Sequence, residues 1–200
     1  MRVQGASRRA LLRIDVARSL RRICPERYHQ PLVRRGDGDL VFATDVPLFG
    51  SPLLLDTVVY IDVLQGVRPP EVAALLEHRD VNHLGVALGE LSHNFGRLDP
   101  AYPVTPAALR ELRELFADVP EHRVDTATPG TVVEAGILAG LLFRLAPLRS
   151  GLEFAALNDA TIYLHALERG YAVLTRNIRD FDFLNQIVPA GRVVFYRRID

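Results

Sequence analysis

Two hundred residues, 48% of them apolar, suffice for one ordinary domain with a real core, and a single cysteine, Cys24, excludes an internal disulfide framework and a cysteine-rich zinc site. The formal net charge is zero, but ten arginines against Asp15 and Glu26 give residues 1–35 about +8 and leave residues 36–200 with about −8. No run of about 18 uncharged apolar residues occurs, and arginines crowd the N-terminus in place of an apolar signal core, so the chain reads as cytoplasmic with no membrane span.

Residues 6–23 place Leu11, Leu12, Ile14, Val16, Leu20 and Ile23 among arginines at helical spacing, which predicts a basic amphipathic helix. Residues 25–52 hold Pro25, Pro31, Gly36, Gly38, Pro47, Gly50 and Pro52, a density of breakers that predicts a linker. The chain thus divides into an arginine-rich extension and linker over 1–50 and a folded domain over 51–200. The run from Leu53 to Asp56 predicts a buried strand, and Val58 to Gly66 the helix after it. Residues 70–79 open on proline and keep one apolar face, predicting another helix. Residues 81–88 are short, apolar and β-compatible, with a helix start in 89–98. Thr105 and Pro106 open a helix over 105–119, and apolar helices are predicted over 131–148 and 155–169, the latter closed by Gly170. Strands follow over 171–175 and 192–198. Strands alternating with helices predict an α/β fold, layered around a central, mostly parallel sheet.

Binding groups in such a sheet collect at the carboxyl ends of the strands, where strand ends and helix starts form a crevice. Asp56 ends the first strand, Glu90 lies just past residues 81–88, and Asn177 and Asp180 follow the strand over 171–175. Asp159 falls in the first turn of its predicted helix. Each has an ordinary reading, Asp56 and Asp159 as helix caps and Glu90 as a solvated helix residue. Together, acids far apart in sequence and embedded in apolar runs point to convergence, and clustered carboxylates repel unless a cation holds them. Oxygen donors without a cysteine site or a histidine pair at ligand spacing favour Mg²⁺, with Mn²⁺ as the alternative, over zinc. Asp182, two residues past Asp180, reads as structural, and Asp62 is set aside as lying off the strand end.

The segments LLLDTVVYID (53–62), LGVALGEL (84–91) and LNDATIYLHALERGYAVLTRNIRDF (157–181) resemble those of PIN-domain ribonucleases. Within that superfamily the likeness is to the VapC-type toxins of bacterial toxin–antitoxin pairs, and it spans roughly residues 53–198. The resemblance implies a PIN-like three-layer fold and a Mg²⁺-dependent endoribonuclease. It puts Asp56, Glu90 and Asp159 in three acidic metal-ligand places and leaves the fourth open between Asn177 and Asp180. It also implies an RNA substrate, a cognate antitoxin that occludes the site, and a homodimer. Ala87 and Leu88 depart from it where members often carry Ser or Thr before the Glu, as do Tyr163 and Leu164 where small residues often follow Asp-Ala. Residues 1–50 lie outside it.

Arg176 and Arg179 flank the ligand places and are candidate phosphate contacts, with solvated surface arginines as the ordinary reading. Thr175 is placed to hydrogen-bond a ligand or a water. Tyr163, Phe181 and Phe183 are candidates for stacking on bases, with core packing the alternative for the phenylalanines. The basic residues 1–35 would raise RNA affinity or dock their apolar stripe on the domain, with a dispensable extension that has no role as the ordinary reading. Two other functions fit the pattern less well. A catalytically silent PIN-like module that binds RNA or acts as a scaffold would keep the fold and lose the metal. A phosphotransferase or phosphatase with Asp56 as nucleophile lacks the Asp-x-Asp after the first strand, and the chain has no lysine to hold a phosphoryl group.

Overall fold

The structure, a computed structural model, describes residues 14–146 and 151–199. In chain order these form helix α1 (Val16–Ile23), strand β1 (Leu53–Leu55), helices α2 (Thr57–Leu64) and α3 (Pro70–His78), strand β2 (Val81–Leu84) and helices α4 (Gly85–Gly96) and α5 (Thr105–Asp118). Strand β3 (Val124–Asp125), helices α6 (Pro129–Leu145) and α7 (Glu153–Arg169), strand β4 (Ala172–Thr175), helix α8 (Ile178–Ile187) and strand β5 (Arg192–Phe195) complete it. The sheet runs β3-β2-β1-β4-β5 with every pairing parallel, as the alternation of strands and helices predicts.

All residues of β1 and β4 are buried, which is how central strands read when helices cover both faces. Leu53, Leu54, Val173 and Leu174 therefore sit at the middle of the core. From β1 the chain steps outward to β2 and β3, then returns across the sheet to β4 and steps the other way to β5. The strand order thus reverses between β1 and β4, and the crevice outside their carboxyl ends is where such a sheet binds its ligand.

Several boundaries differ from the sequence reading. Residues 81–88 are not one strand: β2 stops at Leu84, and Leu84, Ala87 and Leu91 are buried at helical spacing, so Glu90 projects from α4 instead of following a strand end. Helix α7 starts at Glu153, which moves Asp159 from the first turn to the second. Its opening residues Glu153 and Phe154 are exposed and carry no periodic signal. Strand β3 is two residues long, too short for a pattern. The helix predicted over 6–23 is observed from Val16, residues 6–13 lying outside the described ones, as do 147 and 148 of the helix predicted to end there.

Residues 14–50 lie against the sheet and helices. On α1, Ser19 donates to Glu134 of α6 at 3.2 Å, Arg22 pairs with the same carboxylate, and Ile23 is buried. Leu32 N–H donates to the Leu145 carbonyl at 2.9 Å. Phe195 N–H donates to the Val41 carbonyl at 2.9 Å, and Phe42 bridges Phe195 in parallel, so residues 41 and 42 cover the outer edge of β5.

Candidate active site

The site grows from the reversal between β1 and β4. Asp56 directly follows β1 and Thr175 ends β4; the Thr175 hydroxyl donates to Asp56 Oδ2 at 2.5 Å and accepts from Asn177 N–H at 2.9 Å. Asp56 occupies the N-cap position of α2, yet its side chain makes no cap hydrogen bond. It is turned toward the crevice. Thr57 donates to Glu90 Oε2 at 2.9 Å, tying α4 to the start of α2.

On the opposite wall, the side-chain amide of Asn177 donates to Asp159 of α7 at 3.0 Å and to Asp180 of α8 at 3.1 Å. Ionised carboxylates only accept, so the amide nitrogen must face them. Its Oδ1 takes the Asp180 N–H at 3.5 Å, making Asn177 both the cap of α8 and the strut between two acids. Asp56, Glu90, Asp159, Asn177 and Asp180 all line one cavity of about 190 Å³, walled on its apolar side by Ile61, Leu152 and Ala156.

Asp56 is 2% exposed and Asp159 7%, and among the described residues no arginine bonds to either. Burial, reinforced by the charge of Glu90 and opposed by the Thr175 hydrogen bond, pushes the Asp56 carboxyl up to about 6. Asp159 is held well above the usual carboxylate range by burial and then by the charges of Asp56, Asp180 and Glu90. The acids are close enough to raise one another's proton affinity. Among the described residues, however, no three His, Cys, Asp or Glu side chains stand near enough together to form a ready-made cage for an ion. Hydrogen bonds from Thr57, Thr175 and Asn177 fix the orientations of Glu90, Asp56 and Asp159. Oxygen donors around a small cavity, with buried anions that lack a counter-charge, fit a hard divalent cation.

The candidate phosphate contacts are engaged. Arg176 turns to Asp62, its Nε donating to Oδ2 at 2.7 Å, and Arg179 Nε donates to Asp180 at 3.1 Å. Thr175 sits behind Asp56, as expected of a residue that orients a ligand. Tyr163, Phe181 and Phe183 are buried in the core, so none is available to stack on a base. Asp182 is structural, as read: it is fully buried and takes hydrogen bonds from Arg35 N–H at 2.9 Å, Arg35 Nε at 2.5 Å and Gln186 at 2.9 Å. Sequence reasoning set Asp62 aside, but it is fully buried and meets Arg176 beside the site. Nothing in its spacing signals this, because Arg176 lies on a different turn of the chain.

No protein-family model matches the chain, and no curated protein does. Among solved structures it is similar to a chain of VapBC2 from Rickettsia felis bound to a DNA fragment from its promoter, with 14% identity over 73% of this chain and 99% of that one and a TM-score of 0.52. It is also similar to a chain of DNA-bound VapBC from Salmonella typhimurium, with 19% identity over 72% and 97% and a TM-score of 0.50. The fold is PIN-like. In this PIN-like fold the carboxylate cavity lies at the switch point of an all-parallel five-stranded sheet. Residues 14–50 contribute what the resemblance does not reach, the cover on β5 and the arginine for Asp182.

Proposed function

We propose that the chain is a Mg²⁺-dependent endoribonuclease, the toxin of a toxin–antitoxin pair, acting on RNA in the cytoplasm, with Mn²⁺ as the alternative ion. One observation carries the reading: Asp56 and Asp159 are buried with no ion-pair partner among the described residues, beside Glu90 and Asp180, around one cavity. A divalent ion held by Asp56, Glu90, Asp159 and Asp180, with Asn177 adjoining, supplies charge neutralisation at the phosphate and a lowered pKa for an attacking water.

The chain's own side chains do the rest. Thr175 fixes Asp56, Thr57 fixes Glu90, and Asn177 sets the spacing of Asp159 and Asp180, so the donors are oriented before RNA arrives. Ile61, Leu152 and Ala156 restrict water on one side of the cavity. The negative cavity repels a phosphate backbone, and Arg176 and Arg179 at its margin offset that repulsion. The structural relatives come from VapBC complexes, which supports a cognate antitoxin as partner; a homodimer of this chain is part of the same proposal. Incubating the purified full chain with total RNA, with and without Mg²⁺, and sequencing the cut ends tests the reading. Site-specific ends that require Mg²⁺ and vanish in Asp159→Asn are expected; intact RNA under all conditions overturns it.

A second reading has one observation in its favour. The Asn177 amide satisfies Asp159 and Asp180 without any ion, and among the described residues no cage is preformed, as in a silent module that binds RNA without cutting it. Calorimetric titration with Mn²⁺ separates the two, since a silent site releases no heat that Asp159→Asn abolishes.

A further inference from the structure

Arg176 stands between the two residues that organise the site: Thr175, bonded to Asp56, and Asn177, bonded to Asp159 and Asp180. Its guanidinium is anchored along one edge only. Nε donates to Asp62 Oδ2 at 2.7 Å, and the same oxygen accepts from the Tyr196 hydroxyl at 2.8 Å. Tyr196 also donates its backbone N–H to the Thr175 carbonyl at 3.1 Å, so it grips both the arginine's partner and the strand end that precedes the arginine. Asp62 is fully buried, and its other oxygen is buried with no partner. Arg176 is therefore the sole charge matching this carboxylate among the described residues. Its two terminal amino groups meet no acceptor among the described residues, and the side chain is about one-third exposed. Its charge reaches Asp56, whose proton affinity it lowers against the larger effect of burial.

We propose that Asp62 and Tyr196 are positioning residues that hold Arg176 by its Nε edge and leave the outer nitrogens free for a phosphate of the RNA next to Asp56. The inference rests on the ribonuclease reading for its ligand. Only a guanidinium can serve both roles, because it presents five N–H donors in a rigid fork while an ammonium is a single point charge.

The test uses the full chain carrying Asp159→Asn, so that RNA stays intact, with a labelled single-stranded RNA of mixed sequence titrated over a salt series without Mg²⁺. Arg176→Met is expected to weaken binding about tenfold and to lower the slope of log affinity against log salt by about 0.7, the signature of one lost phosphate contact. Tyr196→Phe, which deletes one oxygen and leaves the core packed, is expected to weaken binding about threefold when Arg176 is present and not at all in Arg176→Met. A purely structural tyrosine would weaken both backgrounds alike. Unchanged affinity and slope in Arg176→Met, or an equal Tyr196→Phe effect in both backgrounds, overturns the proposal. If the cycle holds while the chain with Asp159 intact leaves RNA uncut in Mg²⁺, the positioning role stands and the nuclease reading fails.

Discussion

Asp62 and Asp182 are buried at least as deeply as Asp56 and Asp159, yet the two sets occupy opposite electrostatic settings. Asp62 has Arg176 and the Tyr196 hydroxyl, and Asp182 has Arg35 and Gln186. Asp56 and Asp159 have a threonine, an asparagine and one another. Burial alone therefore does not mark a functional acid. An ion pair inside the chain answers the desolvation cost of the first set, while the second set carries raised proton affinity, which a bound cation would relieve.

The sharpest way to break this contrast is to neutralise one member of each set. Asp56→Asn and Asp159→Asn are expected to lower Mg²⁺-dependent RNA cleavage by at least about a thousandfold, read as initial rates on a defined RNA, because donors that must all hold one ion act as a unit. Both proteins should remain folded. Arg35→Met makes the opposite change, leaving Asp182 charged and buried, and is expected to cost about 4 kcal/mol in urea unfolding while sparing the cavity. Truncation before Ser51 adds to that loss, since it also strips Ile23, Leu40 and Ala43 from the core.

The pH dependence of the metal-free protein follows from the sign of the Asp56 shift. Its folded value of about 6 lies above the ordinary 3.8, so the folded state holds this proton more tightly than the unfolded one, and the group's contribution is complete below 3.8 and lost as pH rises through 6. Stability is expected to fall by about 3 kcal/mol over that window, and Asp56→Asn to flatten the fall. Urea midpoints across the window check it; an unchanged slope in the variant would refute the uncompensated state of Asp56. The smallest effect is that of the ion. At tenfold excess over its dissociation constant, Mg²⁺ is expected to stabilise the wild-type chain by about 1.4 kcal/mol at neutral pH, and Asp159→Asn by almost nothing, as measured by thermal melts.

The sheet was legible in the sequence because its central strands are short apolar runs closed by polar residues, and period and length suffice to recognise them. The place of Asp56 at the end of β1 was legible for the same reason, since it stands where an apolar run ends. Thr175 hydrogen-bonds Asp56 because it ends the strand that pairs with β1. The local settings of Glu90 and Asp159 were misread, since a glycine-rich apolar stretch does not distinguish strand from helix and an exposed first turn gives no signal. Tyr163 was misread as available to RNA because its helix is buried nearly all round, which sequence spacing alone does not reveal.

The sequence by itself determined the alternation of elements, the parallel sheet and the acids that flank its strands, since these depend on local composition and period. Only the tertiary structure decided which charges cancel. Asp62 meets Arg176 across 114 positions and Asp182 meets Arg35 across 147, while Asp56 and Asp159 form no ion pair with any described residue. Such pairings depend on how helices and the N-terminal segment lie over the sheet. A charge's energy is set by its neighbours within a few ångströms, wherever in the sequence they come from.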